Sequence, residues 1–183
     1  MFFLVLVCAL MQVPNRTGDF LLAKGRAGSI EIGMTVDELL ARVGHGHTTL
    51  VDLHLEGMFT PALAVRLPGG EGVVHAEIGE QPCEGFRIWR LAVEDARFRT
   101  SEGIGVGSTY GQVLARYDTQ PPADGEGDVY VFVPALEMSF GFGSAWYSRA
   151  RELPASAKVT TVLVLLSKEI VRQQRCPLPG PIR

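Results

Sequence analysis

Apolar and polar positions along the chain fall into a pattern that occurs twice. Ile30-Glu31-Ile32-Gly33-Met34-Thr35-Val36-Asp37-Glu38-Leu39-Leu40-Ala41-Arg42-Val43-Gly44 is matched, 74 residues later, by Ile104-Gly105-Val106-Gly107-Ser108-Thr109-Tyr110-Gly111-Gln112-Val113-Leu114-Ala115-Arg116-Tyr117-Asp118. Six of the fifteen aligned positions are identical. Ile30 and Ile32, like Ile104 and Val106, alternate with small or polar residues as a half-buried strand does. Gly33 and Gly107 then allow a turn that a Cβ would oppose. Thr35 and Thr109 stand where a helix N-cap belongs, and Glu38 and Gln112 complete a capping box three residues on. After each cap the apolar residues sit on one side of about two helical turns. A helix this short needs a sheet to dock on.

Alternation and turn residues predict a run of strands after each helix. In the first half, strands are expected over 49–55, 62–67, 73–78 and 86–93, with Trp89, Leu91 and Val93 sharing a face. In the second, a helix is expected over 110–117 and strands over 129–133, 137–142 and 159–166. The last of these, nearly all apolar, reads as a central strand covered on both faces over part of its length. Asn15 to Ala27 reads as a flexible lead-in. One short helix and then several strands, twice over, predicts an α+β fold of two pseudo-repeats, each a short capped helix packed on an antiparallel β-meander. The expected boundaries are a leader over 1–20, repeats over 28–95 and 96–176, and an irregular tail over 177–183.

Composition narrows the class. With 183 residues, 46% hydrophobic and 20% charged, the chain has ample material for a core. A formal net charge of -3 gives no basic footprint for nucleic acid. Met1 to Met11 is an unbroken apolar run, too short to span a bilayer and suited to the core of a secretory signal, although no positive charge precedes it. The alternative is a buried N-terminal strand or helix. Export places the protein in the periplasm or outside the cell. Two cysteines then remain, Cys83 and Cys176, and an even pair in an exported chain suggests a disulfide. The loop it closed would give about 4–5 kcal/mol by the chain-entropy account. The alternative is two unrelated buried thiols.

Residues that carry chemistry are few. His45, His47, His54 and His75 all lie in the first half with Asp52 nearby, and a metal site there requires at least three of these five to converge. Solvated histidines are the plainer reading. Asp124-Gly125-Glu126-Gly127-Asp128 offers oxygen ligands but lacks the rest of a calcium loop, so a hairpin tip is expected. Ser108 precedes an N-cap and has no nucleophile elbow around it, and no lysine comes after the glycines as a phosphate loop requires. No catalytic constellation and no cofactor is expected. Arg97 and Arg99, beside Glu94 and Asp95, read as a solvated ion cluster. Arg42 and Arg116 recur at equivalent positions, with heads expected near the last helical carbonyls. Trp146, Tyr147, Trp89 and Tyr130 are the candidate binding aromatics, with core burial preferred for Trp89.

The doubled motif, in the residues Gly33, Thr35, Glu38 and Leu39 and again Gly107, Thr109, Gln112 and Val113, resembles the tandem helix-plus-sheet fold of the β-lactamase inhibitor protein family. It is also similar to the single-unit SmpA/OmlA envelope lipoproteins, and 93–117 resembles a group of uncharacterised bacterial envelope proteins. The resemblance covers about a sixth of the chain and implies a fold and a tendency to bind proteins, with no binding residue carried over. The expectation is therefore a non-catalytic periplasmic or secreted protein-binding or envelope protein. Its partner would be another envelope protein, met through an exposed aromatic patch rimmed by charge. Two alternatives stand beside it: a metal-dependent enzyme or binder using the histidines, and an inhibitor or immunity protein against a secreted toxin or hydrolase.

Overall fold

The structure, a computed structural model, describes residues 20–165 apart from 56 and 82–84. Three two-residue strands, β1 (Leu22–Ala23), β2 (Arg26–Ala27) and β3 (Ile30–Glu31), pair in order as a small antiparallel sheet. From Phe20 onward the expected flexible lead-in is therefore built structure. Leu22, Ala27 and Ile30 are buried, and the Phe20 ring stands edge-on to Phe98 at 5.2 Å. Arg99 and the 20–22 segment exchange two backbone hydrogen bonds, of 2.7 and 2.9 Å. Alternation at Ile30 and Ile32 signals β3, whereas β1 and β2 are too short to show it.

Helix α1 (Val36–Val43) comes next, then a 3-10 turn at His45–His47 and four long strands: β4 (Thr48–Leu55), β5 (Met58–Val65), β6 (Val74–Gln81) and β7 (Gly85–Val93). The second unit has α2 (Tyr110–Leu114) and the strands β8 (Ala123–Gly125), β9 (Asp128–Val133), β10 (Met138–Gly141) and β11 (Thr161–Val164). These eight form one antiparallel sheet in the order β4-β5-β6-β7-β11-β10-β9-β8. Each unit thus lays down four strands in sequence order, and the last strand of each meets the other at the centre. There Val162 pairs with Val93, Leu163 with Ala92 and Val164 with Leu91. The fold is α+β, as the pattern predicts.

The expected strand before each turn forms only in the first unit, at Ile30–Glu31, and residues 104–106 are irregular; the turns and caps that follow correspond bond by bond. Gly33 N–H donates to the Ile88 carbonyl at 2.7 Å and Ile88 N–H to Met34 at 2.8 Å; Gly107 donates to Val159 at 2.7 Å and Val159 to Ser108 at 2.8 Å. Both glycines have positive φ, 94° and 88°, where a Cβ would be strained. Both threonines cap with extended backbone, and both capping boxes are complete. Each helix buries a residue against the sheet, Leu39 in α1 and Val113 in α2. The core on the helix side continues through Val65, Val74, Ile88, Leu91, Phe140 and Val164.

Four further expectations need correction. α2 ends at Leu114, short of Tyr117: Arg116 and Tyr117 both turn back to the Val113 carbonyl, at 3.1 and 3.0 Å. No glycine stands where Gly44 closes α1, and Tyr117 is instead fixed by its hydroxyl to Thr100 Oγ1 at 2.7 Å. Trp89 does not share a face with Leu91 and Val93. The register slips between Glu77 and Ile78, so Ile88 takes the core position and Trp89 is the extra residue of a bulge. Arg97 is no solvated charge. It chelates buried Asp95, donates to the carbonyls of Pro68 and Leu67 at 2.6 and 3.2 Å, and covers the Phe20 ring. Arg42 reaches the Ser29 carbonyl at 3.1 Å, away from the end of its own helix. The expected central strand is borne out, since Val162, Leu163 and Val164 are buried from both faces.

Candidate functional site

The face of the large sheet opposite the helices carries a groove of about 470 Å3. Strand parity selects its floor: Tyr130 on β9, Thr161 and Leu163 on β11, Ala92 on β7, and His75 and Glu77 on β6. Leu53 of β4 also lines it, which requires the sheet to curl back over its own face. The β8–β9 hairpin closes one side. Its turn is Glu126-Gly127, both with positive φ (49° and 76°), so the acidic stretch 124–128 is a hairpin tip as expected.

Under the groove lies an ion triad that spans the two units. Arg90 and Glu77 face each other across β7 and β6, with Arg90 Nε donating to Glu77 Oε1 at 2.8 Å. Arg90 Nη1 donates to Glu126 Oε1 at 2.5 Å. Glu77 is 1% exposed, and its Oε2 has no hydrogen-bond donor among the described residues. Burial pushes the Glu77 carboxyl above the usual range, and the hydrogen bond and charge of Arg90 only partly oppose it. Burial also raises Asp128, whose Oδ1 accepts from Val129 N–H. Tyr130, desolvated and beside these acids, is pushed up to about 12. His75 is lowered by burial and stands 4.0 Å from Glu94. The Tyr130 ring lies across Gly141, where a Cβ would come within 2.9 Å of it.

A second feature lies on the helix face, where Phe59 and Phe86 stand at the far end of β5 and β7 and Leu50 lies farther back on β4. Leu50, Phe59 and Phe86 are 67%, 74% and 64% exposed. Pairing places His54 opposite Phe59, and their rings stack at 5.0 Å. β4 is the last strand of the sheet, so its outer row of backbone groups has no neighbouring strand among the described residues.

Of the four candidate aromatics, Tyr130 forms a wall of the groove, whereas Tyr147 is exposed and does not line it. Trp146 is half-buried against the core, with Arg149 over its ring. Trp89 is half-buried over Gly79, where a Cβ would meet its ring at 2.7 Å. The histidines do not converge: His45 and His47 sit in an exposed turn, His54 on the apolar end and His75 in the groove. Among the described residues, no three His, Cys, Asp or Glu side chains are placed to hold a metal. Cys83 and Cys176, and the apolar run 1–11, lie outside the described residues. Among the described residues no helix is long and apolar enough to cross a membrane.

Glu77 and Arg90 escape a sequence search because 13 residues separate them and only strand pairing joins them. A signal was present: each is a charge set between two apolar neighbours, Glu77 between Ala76 and Ile78 and Arg90 between Trp89 and Leu91. Comparison with known proteins finds no matching family model and no matching curated protein. Among solved structures the chain is similar to the uncharacterised protein YfeY of Escherichia coli, at 14% identity and a TM-score of 0.49, over 79% of this chain and 95% of that one.

Proposed function

We propose that this protein is a non-catalytic periplasmic or secreted binding protein that takes an extended segment of another envelope protein onto the β4 edge. The observation that supports this reading is an edge strand of eight residues, open among the described residues, with Leu50 exposed on it and Phe59 exposed on its neighbour β5. An unpaired row of N–H and C=O groups beside apolar side chains is a template for an added strand. Backbone pairing would give affinity, and alternate apolar side chains of the partner would pack on Leu50 and Phe59. The apolar run 1–11 supports export. An inhibitor or immunity role would be one case of the same docking. No observation favours the metal-dependent reading.

The test is paired capture from periplasmic extract with the wild type and with Leu50→Lys and Phe59→Asp, each checked for an unchanged circular dichroism spectrum. A partner held by the wild type and lost by both variants, with backbone amides of β4 becoming protected from exchange, is the expected result. Identical captures, or a homodimer through β4 in light scattering, would overturn it.

A further inference from the structure

We propose that the groove on the helix-free face is a binding site for a small organic cation bearing a primary ammonium group on an alkyl stem. It lies on the opposite face from Leu50, Phe59 and Phe86 and does not depend on the docking reading. Three observations carry it. First, four carboxylates line the groove, those of Glu77, Glu94, Glu126 and Asp128, with no Lys or Arg in the lining. Arg90 pairs with two of them, Glu77 and Glu126. Second, Glu77 is one of the lining side chains, is buried, and has one oxygen, Oε2, without a donor among the described residues. A buried acceptor left unmet costs free energy, and an N–H donor entering the groove removes that cost. Third, the remaining walls are apolar or aromatic: Leu53, Leu163 and the Tyr130 ring. They suit a methylene stem.

The chemistry selects among cations. A quaternary ammonium has charge but no N–H to offer Glu77. A metal ion finds no set of three ligating side chains among the described residues. An alkyl diamine supplies both parts: one ammonium for Glu77, a short stem along Tyr130, and a second ammonium for Asp128 or Glu94. The groove, at about 470 Å3, is in the size range of small-molecule sites. Because burial raises the Glu77 carboxyl and an ammonium favours its ionised form, affinity should rise as pH climbs through the range in which that carboxyl ionises.

Titration of the full chain at physiological salt, by calorimetry and by amide chemical-shift mapping, tests this with 1,4-diaminobutane, 1,5-diaminopentane and tetramethylammonium chloride. Saturable binding of a diamine is expected, with shifts confined to β6, β9 and β11. Binding should weaken about tenfold or more in Glu77→Gln, the usual scale for a lost charge-assisted hydrogen bond. Asp128→Asn and Tyr130→Leu serve if Glu77→Gln unfolds; each should weaken binding while the thermal midpoint is retained. Absence of saturation by either diamine would overturn the proposal. So would equal binding of tetramethylammonium, or variants that bind as the wild type does.

Discussion

At the scale of single residues, two buried carboxylates respond to pH with opposite sign. Asp95 is held below its usual range: burial alone would raise it, and the hydrogen bonds and charge of Arg97 more than reverse that. Its stabilisation is therefore complete above about pH 4, where the unfolded carboxyl ionises, and fades as pH falls through the lowered value. Glu77 is held above its range, so the folded state keeps a proton that the unfolded state has lost. Stability from that group declines as pH rises from about 4.5. Asp95→Asn should cost about 1.5–3 kcal/mol at pH 7, the scale of hydrogen bonds to a charged group, and less in acid. The advantage of the wild type over Glu77→Gln should instead shrink as pH rises. Urea unfolding of the three proteins at pH 4, 5.5 and 7 reads both slopes, and slopes of equal sign would contradict the assignment. His75 adds an acid-side slope of its own. Burial lowers it, so protonation below about pH 6.5 favours the unfolded chain, and His75→Gln should flatten the loss between pH 6.5 and 5.

At the scale of elements, the features legible in the sequence were local ones. The capping boxes at Thr35 and Thr109 involve residues three apart, so letters alone expose them. The glycines before them needed positive φ for the same local reason. The groove was not legible, because Glu77, Arg90, Glu126 and Tyr130 meet only through strand register and a hairpin folded over the sheet. The bulge at Trp89 shows why register resists periodicity: one inserted residue reverses the facing of every residue before it. Tyr130 was singled out for its side chain and reached the groove through parity on β9. The equivalence of the units makes a prediction at this scale. Thr35→Ala and Thr109→Ala should each cost about 1 kcal/mol, the usual value of a lost N-cap. Gly33→Ala and Gly107→Ala meet no atom within 4 Å, so their cost is backbone strain alone, about 1–2 kcal/mol, and should match between units. Gly79→Ala, which collides with Trp89, should differ from both. Denaturant midpoints of the five variants decide it; unequal costs at Gly33 and Gly107 would mean that the turns are not equivalent.

At the scale of the whole molecule, two units that look separable in sequence share one sheet and one ion triad. β7 and β11 pair at the centre, with Val93, Val162 and Val164 wholly buried there. Arg90 of the first unit holds Glu126 of the second. A seam of this kind leaves neither unit a finished edge or a closed core on its own, and a domain of this size with one core unfolds as one. The chain has a natural reporter in each half, since Trp89 belongs to the first unit and Trp146 to the second. Trp146→Phe and Trp89→Phe would leave single fluorophores reporting on opposite sides of the seam. After normalising for any change in stability by far-ultraviolet circular dichroism, both fluorescence transitions should coincide with loss of strand signal. Val162→Ala, which opens a cavity at the seam, should shift both reporters together by about 2–3 kcal/mol, near the low end for large-to-small core substitutions. A shift seen by Trp146 alone, with Trp89 unfolding at its original midpoint, would mean that the units fold independently and that the triad between them is only a contact.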